Sequence, residues 1–124
     1  LPLSDWQVEH TRLFINGQPR TCCPPFASVY CQGRMHGEKT LLAERLFQQL
    51  SFQANADLPA DYLGSLLECL AWMLEQGVGE SPAARLLKDE LLAPWLLPFA
   101  LDLQQSSSLR IYRVLAERLP RVLD

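Results

Sequence analysis

Cys22, Cys23, Cys31 and His36 gather three thiols and an imidazole into one stretch of this chain, and these are side chains that zinc prefers. Their order is C-C-x7-C, however, whereas structural zinc sites favour C-x2–4-C, so ordinary thiols fit the spacing better than a metal centre. Adjacent Cys22 and Cys23 cannot easily pair with each other, and four cysteines in 124 residues do not make a disulfide scaffold. Free thiols in a reducing cytoplasm follow as the simplest expectation. Cys69 falls in an apolar segment and reads as a small buried hydrophobe. Ser28 is a conceivable nucleophile, but it needs a base, and only two histidines exist to serve it. Gly77-Val78-Gly79 lacks the third glycine of a dinucleotide loop and follows a helix instead of a strand. No Walker A, H-E-x-x-H or G-x-S-x-G pattern is present. The expectation is a protein that is not an enzyme, with no catalytic residue, no cofactor and no metal.

Carboxylates offer a different chemistry. Asp61, Ser65, Glu68 and Trp72 recur at i, i+4, i+7 and i+11, which places them on one face of a helix. Two readings stand side by side. The stripe is either a solvated face, with Asp61 in the first turn favoured by the helix dipole, or it holds carboxylates in an apolar groove where a cationic ligand docks. On the second reading the Asp61 charge faces that ligand.

The elements that must position these residues are helical throughout, with no persistent period-2 alternation. Ser4-Asp5-Trp6-Gln7 reads as a capping box. A short helix to about Phe14 follows, with Trp6, His10, Leu13 and Phe14 on one face and Asn16-Gly17 as its stop. Residues 18–36 form a long connection in which Pro24-Pro25 excludes helix. That loop carries Phe26, Val29 and Tyr30, which a loop that merely solvates itself does not need. From Glu38 to Phe52, Leu41, Leu42, Leu46, Phe47 and Leu50 make an apolar stripe. Asp57-Leu58-Pro59 opens the most apolar helix, with Asp57 as N-cap, and Gly77 closes it. Ser81-Pro82 starts a helix that ends before Pro94, Pro94-Trp95 opens the next, and Ser106-Ser107-Ser108 is a turn before a last helix with Leu109, Tyr112, Leu115 and Leu119.

With 48% apolar and 20% charged residues, the chain can bury a core that offsets its ordering entropy. The net charge is −3 and no Lys/Arg run exists, which disfavours nucleic acid as a partner. No apolar run approaches the ~20 residues of a membrane helix, so stable membrane insertion is not expected. The start, Leu1-Pro2-Leu3-Ser4-Asp5, lacks the basic region of a signal peptide and reads as a chain entered partway.

Four segments in a set order carry a resemblance. They are His10-Thr11-Arg12-Leu13-Phe14, then Pro24-Pro25-Phe26-Ala27-Ser28-Val29-Tyr30, then Asp61-Tyr62 with Glu68, and finally Leu92-Ala93-Pro94-Trp95-Leu96-Leu97-Pro98-Phe99. Together they resemble the TorD/DmsD family of redox-enzyme maturation chaperones. Where that family has aspartate–histidine this chain has Asp61-Tyr62, and where it has tyrosine before T-R-L-F this chain has His10. The resemblance implies one all-α helical-bundle domain over 1–124, the C-terminal portion of a TorD-like fold with a long proline-rich loop. It also implies helices that precede the R-L-F segment in the family, so the domain reads as N-terminally incomplete. The apolar face of Leu41, Leu42, Phe47 and the central helix would then need cover, from such a segment or from a second copy in a homodimer.

The function implied is cytoplasmic. The partner is the twin-arginine signal peptide, or the apo precursor, of a molybdenum-containing anaerobic reductase, held until its cofactor is inserted. The peptide-binding residues expected are Phe14, Pro25, Phe26, Ser28, Tyr30, Asp61, Tyr62 and Glu68. The alternative is an all-helical interaction or dimerisation adaptor with no signal-peptide role.

Overall fold

The computed structural model describes residues 3–15, 23–107 and 109–124, and all regular structure among them is helical. One isolated antiparallel bridge, between Phe26 and Tyr62, is the single extended pairing among the described residues. The all-α class expected from the missing alternation is what the chain forms. The helices are α1 (Leu3–His10), α2 (Ala27–Gln32), α3 (Glu38–Leu50), α4 (Leu63–Glu75), α5 (Pro82–Leu86), α6 (Ala93–Ser106) and α7 (Arg110–Arg118). π-helical turns follow α1 at Thr11–Ile15 and α5 at Leu87–Leu92, and a 3-10 turn, Leu119–Leu123, follows α7. The Asn16-Gly17 stop, Cys22 and Ser108 lie outside the described residues.

Several helix boundaries differ from the expectations, each for a physical reason. Ser4 lies inside α1 and is exposed, so it is not the cap of that helix. Pro24-Pro25 does not keep the following segment open. It delivers the chain in extended form to Phe26 (φ −134°, ψ 129°), and α2 starts at the next residue and ends at Gly33 in the left-handed region (φ 73°). Residues 57–62 are turns, so Asp57 caps nothing and α4 begins only at Leu63. Asp61 is therefore not a first-turn residue. The other end of α4 is as expected, with Gly77 at φ 74° donating to the Leu74 carbonyl.

Ser81 is an N-cap of the local kind. Its hydroxyl accepts the Ala84 amide at 3.2 Å, and Pro82 fills the first helical position. The helical path does not stop before Pro94. Pro94 has no amide hydrogen, so the Glu90 carbonyl loses its i+4 donor. Lys39 Nζ donates to that carbonyl at 2.8 Å, and the Ala93 amide reaches back in π register to Lys88. The Trp95 indole donates to the Leu91 carbonyl.

The chain divides into two compact units, Leu1–Pro25 with Leu96–Asp124, and Phe26–Trp95. In the first, Leu13, Phe99, Leu103 and Leu119 are buried, whereas Trp6, His10 and Leu115 of the expected apolar faces are exposed. Phe14 stacks with Phe99 (6.3 Å between ring centroids) and meets Tyr112 and His10 edge-on. Polar ties join distant parts of the sequence. Arg12 donates to Glu9 (2.7 Å) and to the Ser106 carbonyl, and the Ser107 hydroxyl donates to Glu9 (2.7 Å) while accepting the Leu109 amide.

In the second unit, α2 packs on α3, and the π turn Leu87–Leu92 packs against both α3 and α4. The core holds Ala43, Leu46, Leu66, Cys69, Met73, Leu87 and Leu91. Part of the apolar face expected to need cover is covered from within this chain. Phe47 is only 6% exposed, against Phe52 at 5.2 Å, and Phe52 in turn meets Trp72 at 5.7 Å. Leu63, Leu66, Leu70 and Met73 of α4 are buried by this chain itself. Leu41, placed on the stripe by its spacing, is 53% exposed, because Thr40 takes the inward position one residue earlier.

Candidate functional site

The Pro24–Tyr30 segment and the Asp61-Tyr62 segment meet, as their apolar side chains suggested. Phe26 and Tyr62 pair through the β-bridge, with their rings 5.7 Å apart. The Ala27 amide donates to the Asp61 carbonyl at 3.2 Å. The Ser28 amide donates to Asp61 Oδ2 at 2.7 Å, and the Thr40 hydroxyl donates to Asp61 Oδ1 at 2.9 Å. Asp61 is 1% exposed, so its carboxylate faces these groups and is neither part of a solvated stripe nor turned outward to a ligand.

The hydrogens of this cluster have one consistent order. Thr40 spends its single hydroxyl proton on Asp61. The Ser28 hydroxyl, 2.8 Å from Thr40 Oγ1, must therefore donate to Thr40. Both Ser28 lone pairs remain as acceptors, and they take the Gly37 amide at 3.1 Å and the Thr40 amide at 3.3 Å. Ser28 is thus fully engaged, which removes it as a nucleophile. No buried side-chain nitrogen or oxygen among the described residues lacks a partner.

This arrangement caps two helices from a distance. The opening amides of a helix need acceptors outside it. Neither Phe26 before α2 nor Gly37 before α3 supplies a side-chain cap. Asp61 caps α2 from 33 residues away in sequence, and Ser28 with Gln32 caps α3, Gln32 Oε1 accepting the Lys39 amide at 3.4 Å. A Cβ at Gly37 would displace the amide end of the Gln32 side chain and lie 3.2 Å from Ser28 Oγ.

The outward side is aromatic and acidic. Phe26 and Tyr62 are both half-buried. The Tyr62 ring lies over Gly64, where an added Cβ would come within 2.5 Å of it. Glu68 is exposed and stands one helical turn beyond Gly64 on the same face. The chain leading to Asp61, 54–60, lines an open groove of about 470 Å³ together with His36 and Glu44. Glu44 and Asp57 bring exposed carboxylates to it. Of the expected site residues, Phe26, Ser28, Asp61 and Tyr62 come together. Tyr30 is half-buried against Trp95, 5.5 Å away between ring centroids, and Pro25 is buried. Phe14 is half-buried among Phe99, Tyr112 and His10.

Thr40, Gly37 and Gly64 were not in the expected set. Thr40 carried a signal nonetheless, because it shares a helix face with Ala43 and Phe47, so a hydroxyl falls on the buried stripe. Among the described residues no three His, Cys, Asp or Glu side chains converge as metal ligands. Burial pushes the Cys69 thiol up to about 11, and burial raises Cys31 as well, partly offset by Lys39. Both therefore favour the protonated thiol over the nucleophilic thiolate. No helix among the described residues is long and apolar enough to cross a membrane.

Known proteins resemble this chain in family and fold. The family described as "Nitrate reductase delta subunit" matches residues 1–100. Chaperone protein YcdY of Escherichia coli (strain K12) is 29% identical over 111 residues, covering 88% of this chain and 56% of that protein. The chain thus spans little more than half the length of that relative. A crystal structure described as a redox enzyme maturation protein from Archaeoglobus fulgidus superposes with a TM-score of 0.78 at 28% identity, covering 99% of this chain and 68% of that one.

Proposed function

We propose, from the premise that this chain belongs to the nitrate reductase delta subunit family, the TorD-like group its motifs resemble, that it is a redox-enzyme maturation chaperone. Its client is a molybdenum-containing anaerobic reductase, bound in the cytoplasm through the twin-arginine leader or the apo precursor before cofactor insertion. The chaperone contributes binding and no covalent chemistry. Holding the leader delays export until the cofactor is in place.

The observation that carries this reading is the junction of Phe26 with Tyr62. It makes a half-buried aromatic pair, with exposed Glu68 six residues after Tyr62 on α4, and a leader of this class has an apolar core and basic residues. Phe26 and Tyr62 receive the apolar core, and Glu68 meets an arginine through a charge-assisted hydrogen bond. Glu44 and Asp57 in the adjacent groove offer further acceptors. Ser28 and Asp61 act from behind as supports for that surface and Tyr30 as a packed anchor of the same unit, while Phe14 and Pro25 belong to the other unit.

Calorimetry with a leader peptide and a scrambled control tests the proposal. The expected dissociation constant is micromolar, about −8 kcal/mol. Tyr62→Ala weakens it at least tenfold. Equal binding of leader and scrambled peptide defeats the reading.

A further inference from the structure

We infer that Thr40 is a positioning residue, the group through which the start of α3 fixes the Phe26–Tyr62 surface. The inference deepens the leader-binding reading and rests on it for the affinity arm of its test. Thr40 is 3% exposed and touches no surface itself. Its hydroxyl is nevertheless the one side-chain donor to Asp61 Oδ1 in the cluster (2.9 Å) and the one acceptor open to the Ser28 hydroxyl (2.8 Å). Asp61 holds both strands of the junction. Its carbonyl takes the Ala27 amide next to Phe26, its Oδ2 takes the Ser28 amide, and Tyr62 is its chain neighbour. The turn 57–62 has few ties of its own, chiefly the Leu58 amide to the Asn55 carbonyl, the Asp57 amide to Asn55 Oδ1 and the Tyr62 amide to the Pro59 carbonyl. The Asp61 carboxylate therefore adds to the backbone tie between that turn and α2, and through Thr40 it links the turn to α3.

Deleting the hydroxyl without changing the side-chain shape isolates this link. In Thr40→Val, Asp61 Oδ1 loses its donor and the Ser28 hydroxyl loses its acceptor, and each then seeks another partner. A buried carboxylate short of a donor is costly, and the expected relief is a shift of the 57–62 turn toward solvent, which moves Tyr62 with its neighbour Asp61. Thr40→Ser keeps the hydroxyl.

The test uses the whole chain and two readouts. The first needs no ligand: nuclear Overhauser contacts between the Phe26 and Tyr62 rings, and hydrogen exchange at the Ala27 and Ser28 amides. The second is leader affinity by calorimetry, at a temperature where every variant is fully folded. Thr40→Val is expected to lose the ring contacts, to speed exchange at both amides at least tenfold and to weaken the leader about tenfold, the equivalent of 1.4 kcal/mol. Thr40→Ser restores all three to within about twofold of wild type. Ser81→Ala serves as a control for destabilisation elsewhere and leaves ring contacts and affinity unchanged. If Thr40→Val does not fold, Thr40→Cys replaces it, and its weak S–H donor gives intermediate values. Retained ring contacts in the folded variant overturn the inference, and so does lost protection with wild-type affinity. If the wild-type chain binds no leader, the functional reading falls instead, and the ring contacts and exchange still decide the role of Thr40.

Discussion

The start of α5 and the starts of α2 and α3 solve the same problem with different reach. At α5 the cap is local. Ser81 accepts the amide three residues on, and Pro82 occupies the position where a missing donor costs nothing. At α2 and α3 the residues in the capping position are Phe26 and Gly37, which contribute no side-chain acceptor. The acceptors come from Asp61 and Ser28, brought by the fold. A local cap stabilises one helix and can fail alone. A remote cap makes two helix starts and the turn before α4 depend on each other, so the junction forms as one unit. The aromatic surface proposed to receive a leader sits on the coupled kind, and precise placement is what such a surface needs.

Removing Asp61 gives the largest expected effect. Asp61→Ala leaves the Ser28 amide and the Thr40 hydroxyl buried without their acceptor. Each hydrogen bond to a charged group is worth about 1.5–3 kcal/mol, so a loss of about 3–5 kcal/mol is expected in denaturant unfolding. Asp61→Asn retains one acceptor and turns an NH₂ toward a donor, and it should fall between wild type and Asp61→Ala in stability. A stability loss below 1 kcal/mol for the alanine variant would break the contrast with local capping. The next effect is steric. Gly37→Ala pushes the Gln32 amide off the Lys39 amide and presses on Ser28, and losing that hydrogen bond costs about 0.5–1.5 kcal/mol. A thermal melt matching wild type would show that the Gln32 side chain adds nothing to the cap of α3.

The division between local and remote also explains what could be read in the sequence. Helical class, the Ser81-Pro82 start and the Gly77 stop depend on neighbours in the chain, and each was legible. The meeting of Pro24–Tyr30 with Asp61-Tyr62 was legible through apolar side chains that a solvated loop has no use for. The orientation of Asp61 was not. Its spacing to Ser65, Glu68 and Trp72 suggested a shared helix face, but α4 begins at Leu63 and Asp61 belongs to the turn before it. A carboxylate with two partners 33 and 21 residues away leaves no periodic trace. Pro94 misled for a related reason. It removes a donor, and the repair comes from Lys39, far away in the chain. The buried Phe47 shows the same limit, since Phe52, itself against Trp72, covers it only once the turn after α3 has folded back.

Ser81→Ala tests the local side and should cost about 1 kcal/mol, the usual value of a serine cap. The effect belongs to α5 alone, so hydrogen exchange at the first amides of α2 and α3 should stay as in wild type.

The smallest effect is expected at Ser4, where a capping-box pattern exists without a cap. Ser4-Asp5-Trp6-Gln7 has the residue types of the motif, yet α1 is already under way at Leu3 and Ser4 is an exposed residue within it. Serine inside a helix competes for the backbone with its own hydroxyl, whereas alanine does not. Ser4→Ala should therefore leave stability unchanged or raise it by a few tenths of a kcal/mol, because alanine has the better helix propensity. A genuine N-cap would instead lose about 1 kcal/mol on the same change. Denaturant unfolding of Ser4→Ala beside Ser81→Ala separates the two outcomes, since the variants share the substitution and differ only in where the serine stands. A loss at Ser4 equal to that at Ser81 would mean that α1 begins at Asp5, two residues later than Leu3, and that the two serines cap alike.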